Sequence, residues 1–108
     1  LQFNSGFGSV ATAYGCRAWI QFDGTGTPSI NGSANISSFT DTNVGEYTVN
    51  LSTSMPDGNY SITTSVQAGG VLGFGNPNPS TSSFGLRCRR NDDNTGLDPS
   101  YGSAAIFR

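Results

Sequence analysis

Lysine and histidine do not occur in this chain of 108 residues, and its five cations are all arginine: Arg17, Arg87, Arg89, Arg90 and Arg108. Without histidine there is no Ser-His or Cys-His nucleophile pair, and the commonest nitrogen ligand for a metal is missing. The formal net charge is −2. A nucleic-acid binder shows a basic excess, and this chain shows none. No apolar run approaches the roughly 18 residues of a membrane-spanning helix, so no membrane insertion is expected. The two cysteines, Cys16 and Cys88, are too few for a zinc site of their own. They allow one disulfide, but free, buried thiols are the favoured reading.

Core material is scarce as well. Leu, Ile, Val and Phe together make 22 residues, near the level at which chains stay disordered. Disorder also requires a high net charge, which is absent. Ser, Thr and Asn supply 36 residues beside 15 glycines, a composition that disfavours helix and suits turn-rich all-β structure. Sequons at Asn31, Asn35, Asn50 and Asn59 follow from that composition and are read as chance matches.

Period-two alternation predicts strands over several segments. From 16 to 22 it puts Cys16, Ala18, Ile20 and Phe22 on one face and Trp19 on the other. From 46 to 52, Tyr47, Val49 and Leu51 point inward. Tyr60, Ile62, Thr64 and Val66 repeat the design, as do Phe84, Leu86 and Cys88, and residues 103–108 form a short terminal strand. Turn chemistry separates these runs at Asp23-Gly24, at Asn43-Val44-Gly45 and at Met55-Pro56-Asp57-Gly58-Asn59. Ile30, Gly32, Ala34 and Ile36 share one parity and read as an edge strand with a bend near Ser37-Ser38. Residues 69–83, with two prolines, and residues 90–102 read as long loops. The expected fold is one all-β domain over 1–108. It is an antiparallel, jelly-roll-like β-sandwich of about six to eight short strands with two long loops. The chain begins at Leu1 rather than Met, and is expected to be the C-terminal piece of a longer protein.

Candidate chemistry is sparse, and no catalytic residue, metal ligand or cofactor is expected. Asp92 and Asp93 are adjacent and point apart in an extended chain. Residues 91–96 share oxygens with a calcium loop, yet Gly102 stands where an EF-hand has its closing Glu, so a polar turn is the favoured reading. Trp19 packs on a neighbour or stacks a sugar, packing being favoured. Arg87, Arg89 and Arg90 either bind an anionic glycan or pair with Asp92 and Asp93, the pairing being favoured. Phe74, with Asn76 and Asn78, is either a contact surface or a cap on the core. The expected receptor-binding set is therefore Phe74, Asn76, Asn78, Arg89, Arg90, Asp92 and Asp93. The expected subunit-interface set is Trp19, Ile30, Ala34 and Ile36.

Four stretches in order, CRAWIQFDGTGT, NISSFTDTNVGEYTVNL, MPDGNYSIT and the terminal SAAIFR, resemble a domain at the C-terminal ends of bacteriophage tail-fibre and virion structural proteins. Such domains are common in marine and cyanobacterial phages. The resemblance implies a homotrimeric tip domain on the virion, assembled in the host cytoplasm among other virion proteins. Its function would be to bind a host cell-surface glycan or protein. A reducing cytosol would keep both cysteines free. Two other readings stay open: a capsid or baseplate decoration domain, and a carbohydrate-binding module of a secreted enzyme.

Overall fold

The computed structural model describes residues 2–4, 10–12, 15–75 and 77–108. Strands β1 (Gln2–Asn4) and β2 (Val10–Thr12) form a small antiparallel ribbon. Eight further strands follow in chain order: β3 (Cys16–Asp23), β4 (Ser29–Ala34), β5 (Ile36–Asn43), β6 (Glu46–Leu51), β7 (Ser61–Val66), β8 (Gly70–Gly75), β9 (Ser83–Arg90) and β10 (Gly102–Phe107). They make two antiparallel sheets of four strands, ordered β4-β3-β10-β7 (sheet I) and β5-β6-β9-β8 (sheet II). The protein is a β-sandwich.

Alternation explains which side chains fill it. Ile20, Phe22, Ala104 and Ile106 from the middle strands of sheet I are buried against Tyr47, Val49, Phe84 and Leu86 from the middle strands of sheet II. Phe22, Phe39 and Tyr47 form an aromatic cluster, with ring centroids 4.7 to 5.3 Å apart. Because the core residues lie on adjacent central strands, a small apolar inventory makes one continuous interior.

The chain changes sheets four times, two of them at tight corners. The first is Asn35, between β4 and β5, at φ 59°, a left-handed conformation that Asn tolerates better than most residues. Its side chain stitches the corner together. Nδ2 donates to the carbonyls of Arg17 (3.1 Å) and Thr53 (3.2 Å), and Oδ1 accepts the Thr53 amide at 2.6 Å. The second corner joins β7 to β8 through Gly69, at φ 89°.

Two expectations are corrected here. Residues 70–75 are a strand, β8, paired with β9 from Gly70↔Arg90 to Gly75↔Gly85. The prolines at 77 and 79 lie beyond its end and remove no ladder donor. Cys88 is buried but Cys16 is exposed, and both are free. A register shift after Ile106 sets Cys16 opposite the exposed Phe107. Cross-strand partners share a face, so Cys16 leaves the core side.

The connecting segments close the two ends of the sandwich. Over residues 91–101, Asp98 Oδ1 accepts both the Tyr47 hydroxyl and the Gly45 amide at 2.8 Å. The Gly24 amide donates to the Pro99 carbonyl at 2.7 Å. Gln67 Oε1 accepts the Ser100 amide at 2.6 Å. At the other end Leu51 and Met55 donate to the carbonyls of Ser82 and Thr81, at 2.8 and 2.7 Å. The Tyr60 hydroxyl donates to the Ser80 carbonyl at 2.9 Å. The C-terminal Arg108 makes a two-point contact with Asp57 (Nε–Oδ1 3.2 Å, Nη2–Oδ2 2.8 Å). That contact holds the Asp57 carboxyl below the ordinary carboxylate range.

Burial, reinforced by the Asp98 carboxylate, pushes the Tyr47 hydroxyl far above the ordinary tyrosine range, so it stays a donor at every physiological pH. Removing it in Tyr47→Phe leaves the Asp98 carboxylate with one donor fewer. The expected loss is about 1.5–3 kcal/mol in urea unfolding, the range for hydrogen bonds to charged groups. Burial likewise pushes the Cys88 thiol up. In the native protein a thiol reagent should therefore titrate one cysteine, Cys16, and reach Cys88 only in denaturant.

Candidate functional site

The residues expected to bind a receptor do not form one surface. Asn78 is exposed in the segment before β9, while Asp92 and Asp93 are exposed in the turn after it. β9 has eight residues, an extended length of about 25 Å, so the two groups lie at opposite ends of the sandwich. Phe74 stands on β8, its backbone paired with Leu86. Its side chain and the whole of Asn76 lie outside the described residues.

Arg89 and Arg90 do come together with Arg87 around one hollow, Arg87 and Arg89 on the outer side of sheet II and Arg90 at the end of β9. Their partners differ from the expected ones. Arg87 Nε and Arg89 Nη2 stand 3.9 and 3.8 Å from Glu46 Oε1. Arg90 Nη1 donates to Thr95 Oγ1 and to the Gly96 carbonyl, each at 2.9 Å. No salt bridge joins these arginines to Asp92 or Asp93 among the described residues. Asp93 Oδ1 instead accepts the Thr95 hydroxyl at 2.7 Å and the Thr95 amide at 3.1 Å. Those two bonds hold its carboxyl below the ordinary range. Residues 91–94 are a polar turn, with Asn94 at φ 59°.

The four residues expected at a subunit interface divide in the same way. Trp19 pairs with Ala34, and Gln21 with Gly32, so these face outward from sheet I together. The register then shifts, and Ile30 pairs with Phe22. The extra residue, Asn31, turns Ile30 to the core-side rim of the edge strand. Ile36 pairs with Leu51 in sheet II and packs against the core.

What pairing builds around Trp19 is a groove across the outer face of sheet I, of about 360 Å³. Trp19 (43% exposed), Tyr101 (42%) and Phe107 (38%) stand around it. Its floor runs across three strands in register: Thr63–Ala105–Trp19, and beside it Ser65–Ser103–Gln21. Small residues in the middle leave the aromatic rings standing proud. Hydroxyls from Thr63, Ser65 and Ser103 line the same trench. Gln21 Nε2 donates to the Tyr101 hydroxyl at 3.1 Å, which ties the rim to the floor. Exposed ring faces beside fixed hydroxyl and amide groups can stack a pyranose and bond its hydroxyls. The β3–β10 pairing creates this arrangement, and Tyr101 and Phe107 carry no local signal in the sequence that links them to Trp19.

No family model matches the chain, and no curated protein or solved structure matches it at a significant level. The site therefore rests on its own geometry.

Trp19 is the only tryptophan, and a Cβ at Gly32 would stand 3.1 Å from its Cη2 and 3.3 Å from its Cζ3. Gly32→Ala is expected to push the indole outward. The check is intrinsic fluorescence: the emission maximum moves to the red while the thermal midpoint changes little. An unmoved spectrum would mean the indole does not rest on Gly32.

Proposed function

We propose that this chain is a tail-fibre tip domain of a bacteriophage, non-enzymatic and homotrimeric, that mediates adsorption by binding a host cell-surface glycan. The observation that carries the reading is the groove on sheet I, where Trp19, Tyr101 and Phe107 surround a hydroxyl-lined floor. The resemblance in CRAWIQFDGTGT, NISSFTDTNVGEYTVNL, MPDGNYSIT and SAAIFR supports it from the sequence side, and implies assembly in the host cytoplasm and display on the virion. Host-surface protein and other virion proteins are the further partners that the resemblance implies.

The fold supports this use of the surface. Both connecting segments are bonded into the ends of the sandwich, so the outer faces are the freer surfaces for contact. For the trimer, the β4 side offers Ile30, 40% exposed, on an edge strand. The bulge at Asn31 interrupts that edge, a device that discourages strand addition. Subunits therefore meet there through side chains, and the groove stays open to the host.

A carbohydrate-binding module of a secreted enzyme would use the same groove as a monomer. Light scattering at micromolar concentration separates the two, and the tail-fibre reading expects three chains per particle. Purified protein added to host cells is expected to block phage adsorption. Trp19→Ala, whose side chain faces away from the core, should lower glycan affinity at least tenfold, about 1.4 kcal/mol, without unfolding the domain. A monomer that binds glycan yet leaves adsorption untouched would exclude the tail-fibre reading. A trimer whose affinity survives Trp19→Ala would exclude the groove.

A further inference from the structure

The outer face of sheet II has a different character. Three of the five arginines in a net-negative chain border one hollow of about 410 Å³, together with Val71, Asn91 and Asn94. Strand alternation places Arg87 and Arg89 outward, on either side of the buried Cys88. Their cross-strand neighbours on β8 are Gly73 and Val71. Gly73 leaves the floor open beside Arg87: a Cβ there would meet nothing within 4 Å. Arg90, where β9 ends, is fixed by Thr95 and Gly96.

These cations are under-neutralised. The facing carboxylate is Glu46, paired with Arg87 across β6 and β9. Its distances of 3.9 and 3.8 Å lie beyond hydrogen-bond length, so neither guanidinium fork is filled by it. Arg89 Nε is buried and has no hydrogen-bond partner among the described residues. A buried donor of this kind is costly unless it is satisfied. The nearby Asp93 is occupied by Thr95.

We infer that this hollow is a second binding site, for the oxyanion of an acidic saccharide, with Arg87 and Arg89 taking the carboxylate or sulfate and the Asn91 and Asn94 amides taking sugar hydroxyls. Guanidinium forks match planar and tetrahedral oxyanions. A dense polyanion fits worse. Nucleic acid repeats its charge every few ångströms, and its next phosphates would meet Glu46, Asp92 or Asp93. An acidic glycan spaces its charges by a whole sugar. The site lies on the opposite sheet from the aromatic groove, and stands whether or not that groove binds glycan.

The test is calorimetric titration of the full chain with tetragalacturonate, its fully methyl-esterified form, and inorganic phosphate. Tetragalacturonate is expected to bind, more weakly as salt rises, and the ester at least tenfold more weakly. The Arg87→Gln, Arg89→Gln double variant should lose binding at least tenfold with its thermal midpoint retained. Glu46→Gln, which removes the competing carboxylate, should bind a few-fold tighter. Trp19→Ala should bind as the wild type does, which separates failure of this site from failure of the groove. Equal binding of acid and ester, no binding of tetragalacturonate at millimolar concentration, or no loss in the double variant would overturn the site. Phosphate binding as tightly as tetragalacturonate would overturn the saccharide assignment. If the double variant unfolds, Glu46→Gln decides: unchanged or weaker binding overturns the proposal.

Discussion

The Tyr47 hydroxyl donates to an Asp98 carboxylate oxygen that also receives the Gly45 amide, both at 2.8 Å. Around that one acceptor the end of the sandwich closes. The ring of Tyr47 belongs to the core cluster, and its hydroxyl is the core's polar exit. Gly24 passes so close to that hydroxyl that a Cβ there would overlap it, and Gly45 runs against the backbone of Cys88 and Leu97. Asp98 thus lets a fully buried aromatic keep its hydrogen bond. It also ties the long segment before β10 to the turn between β5 and β6. Pro99 is buried as a consequence.

This closure decides where function can lie. A long polar connection in a compact domain invites assignment as a contact loop. In this chain both long connections are bonded by backbone and side chain to the ends of the sheets. The inward faces are consumed by a core that has few residues to spare. What is left is the outward side of each sheet, and the two sides differ chemically. Sheet I presents aromatic rings over hydroxyls, and sheet II presents arginines over glycine and valine. One face suits neutral ring stacking and the other suits an oxyanion.

Much of this was legible in the sequence. Tyr47, Val49 and Leu51 alternate with Glu46, Thr48 and Asn50, and each took the side that the alternation assigns. The turns at Asn43–Gly45 and Met55–Asn59 are where their residue types place them. β8 was hidden because glycine and nearby proline signal a loop. Two of its three glycines answer to packing instead: a Cβ at Gly70 would stand 3.1 Å from Leu97 Cδ2, and one at Gly75 would press on Arg87 at 2.9 Å. The split between β4 and β5 was hidden because Ile30 to Ile36 keeps one parity, and only the tolerance of Asn35 for left-handed backbone hinted at a corner. The groove was least legible of all. Gln21 and Tyr101, which bond across it, are 80 residues apart in the chain, and no local pattern reports a pairing of that range.

The central claim is that recognition lies on the outer faces of the sheets rather than in the connections between strands. Chemical-shift mapping by NMR, with a host-surface oligosaccharide as the titrant, tests it most directly. The account predicts perturbations at the Trp19 indole and at the amides of Ser65, Ser103 and Ala105. Perturbations confined to residues 53–59 and 77–82, with the Trp19 indole and the Arg87 and Arg89 side chains unmoved, would contradict it.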